Sequence, residues 1–233
     1  MPEAKERERG EGASGAIARV AQDPVSRRKF MALTGGSAAM AAFLAACGSD
    51  DDTTGSTAST ASNTSKGGAS ETAQFGKGDV GILNYALTLE YLEAAFYADV
   101  VKSGLFKGSD LATIRKFGSE ESEHVDALTA AVKQLGGTPA PEPKSEFPLE
   151  SAKAVLELAA TVENLGAAAY LGQAANIESP EVLASALAIH SVEGRHAAAL
   201  NTLLGESIVP DGAFAKPADA KTVLKSVEPF IVS

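Results

Sequence analysis

Four stretches of the chain place apolar residues at helical spacing, and each stretch is interrupted by carboxylate at one level. Taking about 100° per residue, Leu83, Ala86, Leu87, Glu90, Ala94, Tyr97 and Val101 share one face. Ile114, Phe117, Glu121, His124, Leu128, Ala131 and Leu135 share a second. Leu156, Ala159, Ala160, Glu163, Ala167, Tyr170 and Ala174 make a third, and Ala186, Ile189, Glu193, His196, Leu200 and Leu203 a fourth. The pattern predicts an all-α fold of four amphipathic helices. Asp79 is placed to cap the first helix and Ser109 the second, with Gly104 and Gly108 between them. Gly136-Gly137 should end the second, Ser179-Pro180-Glu181 should start the fourth, and Gly205 follows its end. The proline-rich run from Gly136 to Pro148 could stretch roughly 43 Å, near the length of a 27-residue helix. It is long enough to cross the bundle and set helices two and three parallel.

The second half of this pattern repeats the first. Residues 83–97 and 156–170 match without gaps at eight of fifteen positions, including Glu90 with Glu163 and Tyr97 with Tyr170. Residues 117–128 and 189–200 match at five of twelve, including Glu121 with Glu193 and His124 with His196. The copies thus carry Glu…Glu-x-x-His at nearly the same spacing. Glu-x-x-His puts both groups on one helical face, so one helix can offer a carboxylate and an imidazole to the same centre.

These carboxylates break apolar stripes, and an isolated buried carboxylate is very costly, so it must be neutralised, paired or metal-bound. No Lys or Arg lies on the four stripes. Divalent metal is the reading favoured by the doubled spacing; the alternative is a set of buried polar groups paired with one another. Glu93 lies about 60° from the Glu90 direction and has Gly166 as its counterpart, so it reads as flank. Glu120 and Glu123 bracket the first pair and read as solvent-facing. His190, one turn before Glu193, reads as peripheral to the ligands or as supporting them. The hydroxyls of Tyr97 and Tyr170 either hydrogen-bond near the ligands or only pack.

The ligand set resembles that of the ferritin-like di-iron and di-manganese carboxylate proteins. More narrowly, Leu-Asn-Tyr-Ala-Leu-Thr-Leu-Glu-Tyr-Leu-Glu-Ala-Ala-Phe-Tyr (83–97) is similar to the bacterial ferritin-like domain related to plant desiccation-related proteins. The ending, Ile-Val-Pro with Phe214 and then Val-Glu-Pro-Phe-Ile, is similar too. The resemblance covers roughly residues 77–233. It implies a ferritin-like four-helix bundle over 77–205 with a long crossover between helices 2 and 3. A C-terminal extension, 206–233, would carry a short helix and pack on the bundle. It also implies two Fe or Mn ions, with Glu90 and His124 terminal on one metal, Glu163 and His196 terminal on the other, and Glu121 and Glu193 bridging. Carboxylate with imidazole suits either metal, and four carboxylates match the charge of two divalent cations.

Ser26-Arg27-Arg28-Lys29-Phe30-Met31 resembles a twin-arginine export motif, and Leu44-Ala45-Ala46-Cys47 resembles a lipobox whose Cys is acylated. The apolar run between them is too short and weak for a spanning helix. Residues 1–47 therefore read as an export signal carrying Arg27 and Arg28, and Cys47, the one cysteine of the chain, as the lipid attachment. Residues 48–76, rich in Ser, Thr and Gly, read as a solvated tether. An exported, outward-facing protein anchored to the cell envelope is the expected localisation. Past Cys47 the chain holds 13 Lys and Arg against 25 Asp and Glu, a net charge of −12, which argues against nucleic acid as a partner.

The resemblance implies redox chemistry toward Fe(II), oxygen or peroxide, in the manner of a di-iron or di-manganese oxidase, ferroxidase or peroxidase. A second reading is a stress- or desiccation-linked surface protein in which the metal is only structural. Iron storage in a cage is a third, without sequence support for cage contacts, although a lipid tether is compatible with a homo-oligomer. No nucleophile motif, phosphate loop or cysteine metal motif competes with these.

Overall fold

The structure, a computed structural model, describes residues 71–232. Arg27, Arg28, Cys47, the leader and the tether as far as residue 70 lie outside the described residues. Five α-helices follow one another: α1 Gly78–Ser103, α2 Gly108–Gln134, α3 Ala152–Gln173, α4 Pro180–Leu204 and α5 Ala220–Val227. Among the described residues there is no strand, only an isolated antiparallel bridge between Ser145 and Ile231. No helix there is long and apolar enough to cross a membrane.

The four long helices form two antiparallel pairs, α1 with α2 and α3 with α4. Tyr97 meets Gly118 and Val80 meets Gly137, which fixes α1 and α2 antiparallel. A Cβ on Gly118 would stand 2.8 Å from Tyr97 Cβ, so only glycine lets α2 come this close. Tyr97 reaches Glu163 and Tyr170 reaches Glu90, which makes α1 antiparallel to α3 as well. Helices α2 and α3 are therefore parallel, and residues 135–151 cross the bundle to join them. Buried Asn84 secures the start of this crossover: its Nδ2 donates to Thr138 O at 3.0 Å and its Oδ1 accepts from Ala140 N at 2.8 Å. Its far part is tied to the C-terminus, with Glu146 N donating to Phe230 O at 2.9 Å and Val232 N to Lys144 O at 2.9 Å.

The core runs the length of the bundle, with Phe96, Tyr97, Val100, Phe117 and Leu200 on one side of the carboxylate level and Leu83, Leu87, Leu128, Val132 and Ile189 on the other. Each such large side chain contributes roughly 1.5–3 kcal/mol by leaving water. Helix α1 is more buried than a single stripe predicts. Its opposite face, Tyr85, Leu89 and Leu92, is covered by Ala220, Val223 and Val227 of and beside α5. The ends of two predicted stripes, Leu135 and Leu203, are exposed.

Three expectations of chain organisation are corrected. Helices α1 and α2 begin at Gly78 and Gly108, with no side-chain cap. Asp79 instead turns its carboxylate to the connection before α4 and accepts from Glu178 N and Ser179 N, both at 2.8 Å; a contact 99 residues away outcompetes the local cap. Ser109 lies inside α2 and bonds Asp110. The expected tether also ends sooner: Thr72 is buried, Phe75 packs on Tyr85 at 5.9 Å, and Glu71 accepts from Ala220 N at 3.1 Å, so residues 71–76 belong to the fold. Ser179 caps α4 as expected, accepting from Val182 N, and Gly205 closes it at φ 76°.

Candidate metal centre

One carboxylate from each long helix points into the middle of the bundle. Glu90 on α1, Glu121 on α2, Glu163 on α3 and Glu193 on α4 are all fully buried. His124 follows Glu121 by one turn of α2 and His196 follows Glu193 by one turn of α4. The structure brings all six sequence-predicted residues together in two overlapping groups. Glu90, Glu121, His124 and Glu193 offer ligand atoms all within 4.8 Å of one another, and so do Glu121, Glu163, Glu193 and His196. Glu121 and Glu193 belong to both, so the two donor groups share two carboxylates.

The donor atoms face one another in a way that suits a cation. His124 Nδ1 lies 2.8 Å from Glu121 Oε2 and 3.2 Å from both Glu90 Oε2 and Glu193 Oε1. His196 Nδ1 lies 2.8 Å from Glu121 Oε1 and 3.3 Å from Glu163 Oε2. Yet His196 Nδ1, Glu121 Oε1, Glu163 Oε2 and both oxygens of Glu193 are buried and make no hydrogen bond. Buried polar groups left in this state cost about 1–3 kcal/mol each. Hard oxygen and borderline nitrogen donors that converge with five of their atoms left without hydrogen bonds make a set that a divalent metal could satisfy.

Four further groups fix the donors in place. Tyr97 of α1 donates its phenol hydrogen to Glu163 of α3, and Tyr170 of α3 donates to Glu90 of α1 at 2.5 Å. Burial pushes both phenols well above their ordinary range, so they remain donors. Glu120 takes His196 Nε2 at 2.9 Å and the Lys116 ammonium at 2.5 Å. With a cation at Nδ1, Glu120 would hold the proton on Nε2, the arrangement that orients metal-binding histidines. Phe117 packs on the His196 ring at 4.1 Å and limits its rotation.

The cluster holds more acid than base. Burial pushes Glu193 up to about 10 despite the His124 contact, with the charges of Glu90, Glu121 and Glu163 adding to the effect. Burial likewise lifts Glu90 to about 7, and raises Glu163. Glu121 goes the other way: burial opposes its charge, but bonds to His124 and then His196 outweigh that and bring it down to about 2. Glu121 and Glu193 separate because both imidazoles favour the first and only one the second. Burial alone would keep the imidazoles neutral, yet their carboxylate partners carry His124 up to about 12 and His196 to about 11. Protons thus stand where cations would be held.

Two residues were misread from sequence. Glu120, expected in solvent, is half-buried and reaches His196; nothing in its neighbourhood along the chain points to a partner 76 residues away. Glu93, expected on the flank, is only 3 % exposed. It had a signal: its two-fold counterpart is Gly166, and a large residue set against a glycine at matched positions means that the two share one volume. Glu123 is exposed as expected. His190 does not join the cluster; its Nδ1 pairs with Ala167 O at 3.0 Å, and the ring borders a surface cavity of about 310 Å³ beside residues 208–216.

The bundle of antiparallel pairs, the crossover and the buried Glu/His cluster define an all-α protein of ferritin-like architecture with a site that could hold metal. The chain belongs to the ferritin-like domain family, whose model matches residues 78–206. No curated protein matches it.

Proposed function

We propose that the cluster binds two Fe or Mn ions and uses them in redox chemistry toward Fe(II), oxygen or peroxide. The observation that carries this reading is the pair of overlapping donor groups, which share Glu121 and Glu193 and leave five buried donor atoms without hydrogen bonds. Glu90 and His124 would hold one ion, Glu163 and His196 the other, and Glu121 and Glu193 would span both. Two such ions would supply one electron each, the two-electron change that peroxide reduction needs. The chain's own contribution is geometric: Tyr97, Tyr170 and Glu120 keep the donors aligned, and the apolar layers on either side exclude water.

Elemental analysis of the purified protein should give close to two Fe or Mn per chain, with Glu121→Ala or Glu193→Ala losing both together. A single ion, or none after reconstitution, overturns the dinuclear reading. Redox function is tested by loading Fe(II) without oxygen and then admitting oxygen or peroxide in successive additions, with Fe(II) resupplied. Continued oxidant consumption supports an enzyme. The alternative, a stress- or desiccation-linked surface protein, is favoured by the phenols that lock the terminal carboxylates into a rigid frame. A structural metal would raise the melting temperature by mass action and then fail to cycle.

The same proposal includes export and anchoring. The order of a twin-arginine motif at Arg27-Arg28, an apolar run and Cys47 supports a signal peptide that ends at an acylated cysteine, leaving the bundle tethered to a membrane and facing outward.

A further inference from the structure

A fifth buried carboxyl group stands beside the four. Glu93 follows Glu90 by one turn of α1, is 3 % exposed, and lays its Oε1 against Gly166 of α3. It borders a cavity of about 20 Å³ whose other side chains are Leu89, Leu92, Val162, Leu165, Val223 and Val227, with Gly166 beside them. One water would fit that space, but an ordered buried water needs two to four polar partners and these walls offer only Glu93. A buried carboxylate among such walls is expensive unless it is protonated or meets a cation.

Its position relative to the cluster says what it would bind. A Cβ placed on Gly166 would stand 2.9 Å from Glu93 Oε1 and 3.4 Å from Glu193 Oε2, so those two oxygens lie within 6.3 Å of each other. Two oxygens on one cation at about 2.0–2.2 Å each stand no more than roughly 4 Å apart. A change of rotamer in a side chain with three rotatable bonds would close the remaining gap. Glycine at 166 leaves the volume in which that carboxylate rests and turns; any larger residue there would press on Oε1. A cation beside Glu193 would draw the Glu93 carboxylate out of its apolar surround.

We propose that Glu93 is a seventh protein ligand of the dinuclear site, entering beside Glu193 when metal binds. The inference rests on the dinuclear reading above and goes beyond its six ligands. It makes the two halves of the repeat unequal, since Gly166 gives α3 no equivalent donor.

Co(II) tests this directly, because its visible absorption intensifies as the number of ligands falls. Wild type and Glu93→Gln are titrated with Co(II), with Glu123→Gln as an exposed control. The expected result is two Co(II) per chain in all three, with one of the two sites in Glu93→Gln weakened about tenfold or more and its absorption altered. Glu93→Asp, one methylene shorter, should behave as Glu93→Gln and provides the reading if the amide disturbs folding. Unchanged spectra and affinities in both variants overturn the seventh ligand and leave the six-ligand site standing. Wild type failing to bind two Co(II) overturns both.

Discussion

Tyr170 donates a hydrogen bond to Glu90, 80 residues earlier in the chain, at 2.5 Å. Tyr97 makes the matching bond to Glu163, so each half of the repeat holds the carboxylate of the other. The two halves are thereby locked at the level where their donors converge. An isolated half would leave its phenol and its terminal carboxylate unmatched in its core.

Removing either phenol should loosen one donor and leave a buried carboxylate less satisfied. Tyr170→Phe is expected to destabilise the fold by about 1–3 kcal/mol and to weaken one metal by roughly 10- to 100-fold. Thermal melts and Mn(II) titration read the two effects. Full metal affinity in the variant would mean that the phenol only packs.

Glu120 acts through His196, so Glu120→Gln should weaken one metal by about tenfold while the amide keeps the shape of the side chain. Lys116→Ala removes the exposed partner of Glu120 but leaves the imidazole contact, and should change metal affinity little. Equal effects from both would assign the result to surface charge, not to orientation of the ring.

Stability should fall with rising pH in the metal-free protein, and the stabilisation added by metal should grow. Glu193, Glu90, His124 and His196 all have folded values above their ordinary ones, at about 10, 7, 12 and 11. The stability carried by their protons is full below the ordinary values and is lost as pH rises toward the folded ones. Glu121 runs the other way, but its window between about 2 and 4.5 closes below neutral pH. Chelator-treated protein should therefore melt lower as pH climbs from about 6.5 to 8.5. Cations replace those protons and bind more tightly as they leave. The difference in melting temperature between Mn(II)-loaded and chelated protein should widen across that range, and a narrowing gap would contradict it.

Anchoring is tested on the full-length chain in cells. Cys47→Ala should release the protein from membranes or leave it unprocessed, because the lone cysteine is replaced. Membrane fractionation identical to wild type would remove the lipid anchor from the proposal.

The sequence by itself determined the four long helices, their pairing into a repeat and the level at which six donors meet. These are set by helical period and by like residues at matched spacing, which are local properties of the chain. It also determined Gly205 as a stop and Ser179 as a cap, where the local interaction prevails. Only the tertiary structure decided where side chains went when a distant partner won. Asp79 left its own helix for amides 99 residues on, Glu120 turned from solvent to His196, and Glu93 was buried because α5 closed over α1 beside it. A one-stripe reading of α1 assumes a wet far face, and whether that face is wet depends on a segment more than 100 residues downstream. Helical phase gives the direction in which a side chain leaves the backbone, but the energy of burying a charge depends on everything packed around it.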